Sequence, residues 1–198
     1  SNSFQDTSCL ATMKLKDLLK LYYEKYKTKV RRPKYLQYAV NLLCRQKIGN
    51  ITLIKLNSRH VADFRDERLR VGKSPSTVKK YLGLISRAYK VGKRELDLPL
   101  QYNPVASITK PRESHGRERV LSDEELNHLL EAANQSSIYF MKQIIILAIE
   151  TLCRRGELLN LKRSDVDYYN RTARIKVTKN NFPRTIGLSP LAVSTLKS

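Results

Sequence analysis

Two short segments of this 198-residue chain carry residue types suited to phosphate chemistry. In the first, Thr151, Arg154, Gly156, Glu157 and Leu158 directly follow an apolar run. Arg154 therefore stands where an apolar core meets a polar surface. An arginine in that position stays charged and presents a planar fork to phosphate oxygens. Glu157, three residues on, is within reach of a local pair that would orient it. A purely structural Arg–Glu pair near a helix end is the plainer reading of the same spacing. In the second segment, Thr178, Lys179, Arg184, Ile186 and Leu188 surround a turn containing Pro183. Lys179 falls at the tip of a candidate hairpin, where a solvated turn lysine is the plainer reading.

These residues need a scaffold to hold them. Residues 139–151 are apolar nearly all round and predict a buried helix leading into the first segment. Residues 155–161 predict a further helix. Residues 172–177 and 184–188 predict a short β-hairpin, with 179–183 as its turn. Upstream, Ser122 and Glu125 form a capping box, with Asp123 and Glu124 favoured at the positive helix end. Ser189 and Pro190 start one more helix.

The first half predicts four helices. Residues 12–29, with Thr12 as cap, place Leu15, Leu18, Leu19, Tyr22, Tyr23 and Tyr26 at helical spacing. Pro33 opens a second helix, with Leu36, Val40, Leu43 and Cys44 on one face and Ile48 and Gly49 at its end. Ser58 caps a third, running through Val61, Phe64, Arg65 and Leu69 and stopping near Gly72. A fourth follows the turn from Ser74 to Thr77, with Val78, Tyr81, Leu82, Ile85, Ala88 and Tyr89 inward. Asn103 and Pro104 end this unit, because a residue before proline resists helix. Residues 110–117 are polar, charged and rich in breakers, as a linker is. The expected organisation is residues 1–111 as a helical domain and 112–198 as a second, mixed α+β domain with a small β-hairpin. The fold class is mainly α.

Composition points to a partner. The formal net charge is +20. Residues 1–110 hold 24 Lys and Arg against 8 Asp and Glu, and residues 111–198 hold 14 against 10. A polyanion explains an excess concentrated in one half, because each phosphate contact releases condensed counterions. A solvated basic surface without a partner is the alternative. Cys9, Cys44 and Cys153 are odd in number, widely spaced and without a C-x-x-C pair, which argues against a disulfide framework or a zinc site. His60, His115 and His128 are isolated. The apolar run at 144–149 is too short to span a bilayer, and the N-terminus lacks a signal pattern. A reducing cytoplasm is the expected compartment, with no membrane partner.

Taken together, the two segments resemble the tyrosine recombinases, or phage integrases. That family shows a T-G-[LM]-R-x-[GS]-E-[IL] pattern, with which Thr151, Arg154, Gly156, Glu157 and Leu158 are in register. It also shows a T-K-x-x-x-x-R-x-[VI]-P-L hairpin, matched by Thr178, Lys179, Arg184, Ile186 and Leu188. Thr77, Val78, Tyr81, Leu84 and Ala88, followed by Asn103, Pro104 and Val105, resemble the last helix and exit of the family's four-helix, SAM-like core-binding domain. Leu121 to Glu125 resembles the start of its catalytic domain, which would be incomplete here. The departures are Leu152 for the motif glycine, Gly187 for the usual proline, and Phe182 where a basic residue is common. With Leu152 in place of glycine, the turn before Arg154 is open to a different shape.

The resemblance implies site-specific DNA recombination through a phosphotyrosine-linked intermediate, with no metal or other cofactor. Arg154 would bind a nonbridging oxygen of the scissile phosphate and stabilise transition-state charge. The adjacent Arg155 is out of register for that role. Glu157 would support the site. Lys179 would protonate the leaving 5′ oxygen, since desolvation and a second cation lower a lysine pKa toward the working range. The family's His-x-x-Arg, its later His or Trp and its nucleophilic tyrosine would lie beyond Ser198. Tyr168 and Tyr169 sit in the wrong segment for that nucleophile. As it stands, the chain is expected to bind DNA without completing strand exchange.

Double-stranded DNA is the expected partner, with a tetramer on paired sites when the protein is full length. Lys29, Arg31, Arg32 and Lys34 form one candidate phosphate-contact run. Lys73, Lys79, Lys80, Arg87 and Lys90 form another, with Lys93 and Arg94 beside it. Tyr35 and Tyr38 are candidates either for the DNA face or for core packing. Two other readings share the basic charge. One is a non-catalytic DNA-binding protein on a recombinase scaffold. The other is an RNA-binding helical module, which would show no preference for duplex DNA.

Overall fold

The computed structural model describes residues 7–113, 118–176 and 182–198. Lys179, His115 and most of the hairpin turn lie outside the described residues. The chain divides into two compact units, Ser1–Gly116 and Arg117–Ser198. The fold is mainly helical, with one small antiparallel sheet. Among the described residues no helix is long and apolar enough to cross a membrane.

The first unit contains α1 (Ser8–Thr12), α2 (Leu15–Tyr26), α3 (Pro33–Arg45), α4 (Ser58–Arg70) and α5 (Pro75–Glu95). Each long helix buries one stripe at three- and four-residue spacing. On α2 the stripe is Leu15, Leu18, Leu19 and Tyr22. On α3 it is Leu36, Ala39, Val40 and Leu43. On α5 it includes Val78, Leu82, Ile85 and Tyr89. These stripes merge into one core with Val61, Phe64, Leu100 and Val105. Fully burying a leucine contributes about 1.5–3 kcal/mol, so this core supplies most of the unit's stabilisation. Gly49 is required where the chain turns out of α3, because a Cβ there would stand 2.6 Å from the Leu43 carbonyl oxygen.

Two helix starts differ from the sequence expectation. The first long helix begins at Leu15 rather than Thr12. Met13 and Lys14 are extended and the segment 13–15 pairs with 51–53, with Leu53 N donating to Met13 O at 2.8 Å and Leu15 N to Ile51 O at 2.9 Å. That pairing takes the backbone groups a longer helix would use. Asp17 then accepts from Lys14 N at 3.0 Å. For α4 the cap is Asn57, not Ser58. Its side-chain oxygen accepts from His60 N, and Asn57 N donates back to His60 Nδ1. His60 is thus a capping partner.

The exit from α5 is fastened back onto it. Asn103 donates to Ser86 Oγ at 2.7 Å and accepts from Val105 N at 3.0 Å. Arg65 donates to the Thr109 carbonyl, Pro111 is buried, and Lys79 pairs with Glu113 at 2.8 Å. Residues as far as 113 therefore belong with the first unit.

The second unit contains α6 (Asp123–Asn134), α7 (Met141–Thr151), α8 (Arg155–Leu158), the strands β1 (Val166–Asp167), β2 (Thr172–Ile175) and β3 (Arg184–Gly187), and α9 (Pro190–Lys197). The Ser122–Glu125 capping box starts α6. The sheet order is β1-β2-β3, both pairs antiparallel. The hairpin of β2 and β3 gains β1 as a third strand, two residues long, which periodicity is too short to reveal. Tyr168 and Tyr169 occupy the turn between β1 and β2. The helix expected over 155–161 is a single turn.

The expectation that α7, apolar nearly all round, is buried is corrected. Only Leu147 is buried, and Ile149 is 44% exposed. The helix packs against α6, α8 and α9, which leave part of its apolar surface uncovered. Leu147 joins Ala173, Leu188 and Ala192 in a small core.

Candidate active site and nucleic-acid surface

The turn that presents Arg154 is built by the end of α7. Thr151 Oγ donates to Leu147 O at 2.6 Å and accepts from Cys153 N at 3.3 Å, bridging the helix end to the turn. Leu152 closes the helix at φ 50°, ψ 24°. This is the left-handed conformation that glycine takes freely and that costs other residues about 1–2 kcal/mol. Leu152 thus holds the conformation the motif glycine would favour, and its side chain points to solvent at 87% exposure. Cys153 is buried and Arg154, in extended conformation, begins α8.

Glu157 is the hub. Its side chain is 3% exposed, and both oxygens are used twice. Oε2 accepts from Arg154 N at 3.0 Å, and Oε1 accepts from the Arg154 guanidinium at 2.9 Å. The Arg184 guanidinium donates to Oε1 at 3.1 Å and to Oε2 at 2.8 Å. Hydrogen bonding from Arg184, reinforced by the Arg154 backbone and side chain, holds the Glu157 carboxyl down at about 2 although burial pushes the other way. The carboxylate is therefore charged at any physiological pH. The Arg154 side chain remains 61% exposed, and its other N–H groups have no partner among the described residues. That arrangement can receive a phosphate oxygen.

Arg184 entered the sequence reading only as a motif position. Its role comes from strand register, since Arg184 pairs with Ile175 in the sheet. On β2, Ala173 and Ile175 face inward, so their partners Ile186 and Arg184 do too. Nothing in local spacing announces a pair 27 residues apart. Arg155, next to Arg154, is exposed. The sheet carries a second pair of the same kind, Lys176 with the buried Asp165.

On the first unit, Lys29, Arg31, Arg32 and Lys34 are all exposed in the α2–α3 connection and the first turn of α3. Lys29 lies over the Tyr26 ring at 5.4 Å. Lys80, Arg87 and Lys90 are exposed on the outward side of α5, and Lys73 is exposed just before it. Lys79 differs, because its ammonium is engaged by Glu113. Tyr35 and Tyr38 lie outside the core, at 51% and 61% exposure. Sequence reading passed over Asn41 and Arg45. With Lys34 and Tyr38 they follow the 3.6-residue repeat along the exposed side of α3. Tyr38, Asn41, Leu42, Arg45 and Gln46 line a cleft of about 310 Å³.

Residues 119–198 match the model of the phage integrase family. The chain is 30% identical over 167 residues to the shufflon-specific DNA recombinase of Escherichia coli, which covers 81% of this chain and 43% of that protein. Its fold is shared with the Tn1549 transposon integrase solved in complex with a circular intermediate DNA, at a TM-score of 0.76 and 13% identity, over 94% of this chain and 64% of that one. It is shared equally with a lambda integrase tetramer bound to a Holliday junction, at a TM-score of 0.76 and 18% identity, over 100% of this chain and 61% of that one. The chain thus spans under half of that curated relative and less than two thirds of either solved chain. Residues 119–198 thus match the phage integrase family, the tyrosine recombinases, and the curated relative is itself a DNA recombinase.

Proposed function

We propose that this chain supplies the DNA grip and part of the catalytic centre of a site-specific recombinase that breaks and rejoins duplex DNA. In this reading, the first unit is the core-binding domain and the second the N-terminal part of the catalytic domain, with the boundary a few residues beyond the expected 111/112. A tyrosine from the rest of the protein attacks the scissile phosphorus. A P–O bond to tyrosine forms as the P–O5′ bond breaks, and the 5′ oxygen takes a proton from Lys179. The phosphotyrosine keeps one phosphodiester-level bond, so a 5′ hydroxyl from another strand can reverse the step. Arg154 holds a nonbridging oxygen and stabilises the charge that builds there.

The observation that carries this reading is the exposed Arg154 guanidinium, anchored on a buried, fully hydrogen-bonded carboxylate. The role of Lys179 rests on its place in the motif between β2 and β3. Duplex DNA as partner is supported by the exposed basic residues of α3 and α5 and by the DNA bound in the related structures. Assembly into a tetramer on paired sites is carried over from the lambda integrase complex. A cytoplasmic site of action follows from the same reading. Within the grip, Lys29, Arg31, Arg32, Lys34, Lys73, Lys80, Arg87 and Lys90 contact phosphates. Asn41 and Arg45 suit base edges, since Asn reads adenine and Arg reads guanine in the major groove.

The test is covalent trapping. The full-length natural protein is incubated with a nicked duplex carrying the element's own terminal repeats. A protein–DNA adduct on a denaturing gel is expected, lost on Arg154→Ala and much reduced on Lys179→Ala. Tight duplex binding without adduct on authentic sites would favour a non-catalytic scaffold and withdraw both catalytic roles.

A further inference from the structure

We propose that Arg184 is a positioning residue, which neutralises the buried Glu157 from the far side so that the charge of Arg154 is left free for the scissile phosphate. This rests on the recombinase reading above. Glu157 is pinned between two guanidiniums, one from the turn after α7 and one from β3. Arg184 makes the forked, two-bond contact, at 3.1 and 2.8 Å, while the Arg154 side chain makes one bond, at 2.9 Å. A buried carboxylate demands a counter-charge. With Arg184 present, two cations meet one anion and the group carries a net charge of about +1 on its exposed side. Without Arg184, Arg154 becomes the sole cation on Glu157, and the charge facing a phosphate falls to about zero.

The same contact sets geometry. Arg184 is the first residue of β3, and its Nη2 also reaches Cys153 Sγ at 3.8 Å, beside Arg154. The strand and the arginine turn are thereby tied through one side chain. Rigid support of this kind keeps a catalytic group within the small tolerance that phosphate transfer requires. Lysine at position 184 would retain the charge and lose the fork.

The test uses the full-length protein and the nicked duplex. Adduct rate, DNA affinity and thermal stability are measured for wild type, Arg184→Ala, Arg184→Lys, and Arg184→Ala combined with Glu157→Gln. Arg184→Ala should slow adduct formation on the order of tenfold to hundredfold while DNA affinity stays within about threefold. Adding Glu157→Gln should restore part of the lost rate, because the net charge returns to about +1. A residue needed only for packing would give no such rescue. Arg184→Lys should be intermediate, and it decides the matter if Arg184→Ala fails to fold. An active wild type with Arg184→Lys or Arg184→Ala at the same rate, or a double variant no faster than Arg184→Ala, would overturn the positioning role alone. A wild type that forms no adduct would overturn the recombinase reading, and this role with it.

Discussion

In residues 1–116 the long helices close on a continuous apolar core running from Leu15 through Leu82 to Val105. In residues 117–198 the shared buried cluster among the described residues is Leu147, Ala173, Leu188 and Ala192, and much apolar surface stays open, including Val120, Tyr139 and Ile149. What the second unit has instead is buried charge. Glu157 and Asp165 are its buried carboxylates, each held by a basic side chain from the sheet region. In the first unit the ion pairs, such as Lys25–Glu95 and Lys79–Glu113, lie on the surface. The difference teaches where each unit keeps its precision. In the first, apolar packing makes a stiff platform whose positive charge faces outward. In the recombinase reading the second must hold one guanidinium within about 0.5 Å of its productive place, and buried charge-assisted hydrogen bonds suit that at the cost of desolvation.

The comparison breaks most directly at the cores. Leu82→Ala should destabilise the first unit by about 3–5 kcal/mol, since Leu82 has no exposed surface and its neighbours relax only partly around the gap. Leu147→Ala should cost less, about 2 kcal/mol, because its small core relaxes more easily. Separate unfolding transitions, followed by hydrogen exchange, would read both. Equal losses would remove the contrast.

The charge asymmetry is tested by salt. Replacing Lys80, Arg87 and Lys90 together with alanine should lower the log–log salt slope of duplex binding by about 2–3. A matched triple at Arg163, Arg171 and Arg174 in the second unit should change it less. A larger effect from the second set would relocate the grip. Arg45→Ala should cost about 1–3 kcal/mol of discrimination at one base pair, and little on non-specific duplex.

The buried carboxylate predicts an acid response in the second unit. The Glu157 carboxyl is held below its ordinary value of 4.5, at about 2. Its contribution is therefore complete above pH 4.5 and lost as pH falls toward about 2. Unfolding midpoints across that range should fall for wild type and fall less for Glu157→Gln. Identical slopes would show that Glu157 carries no linkage. The smallest effect is at Leu152. Leu152→Gly should stabilise the second unit by about 0.5–1 kcal/mol by relieving the left-handed strain, with glycine's greater chain entropy offsetting part of the gain.

Much of the fold was legible because it is local. The stripe of Leu15, Leu18, Leu19 and Tyr22, the Pro33 start, the Ser74 cap and the Ser122–Glu125 box all act within one helical turn. The misreadings share a cause. Thr12 lost its cap role to the pairing of residues 13–15 with 51–53, and α7 proved half-covered because exposure depends on which neighbours arrive. At the candidate site, Arg154 and Glu157 were legible as a pair three residues apart.

Composition gave the charge imbalance, and residue types with local spacing were enough to place the long helices, the Ser122 cap and the Arg154 turn, since each of these depends on neighbours within about four positions. The partner of Glu157 across 27 residues depended on the antiparallel register that sets Arg184 opposite Ile175 and turns it inward. A strand register is fixed by pairing between distant segments, and a one-residue slip would have sent that guanidinium to solvent.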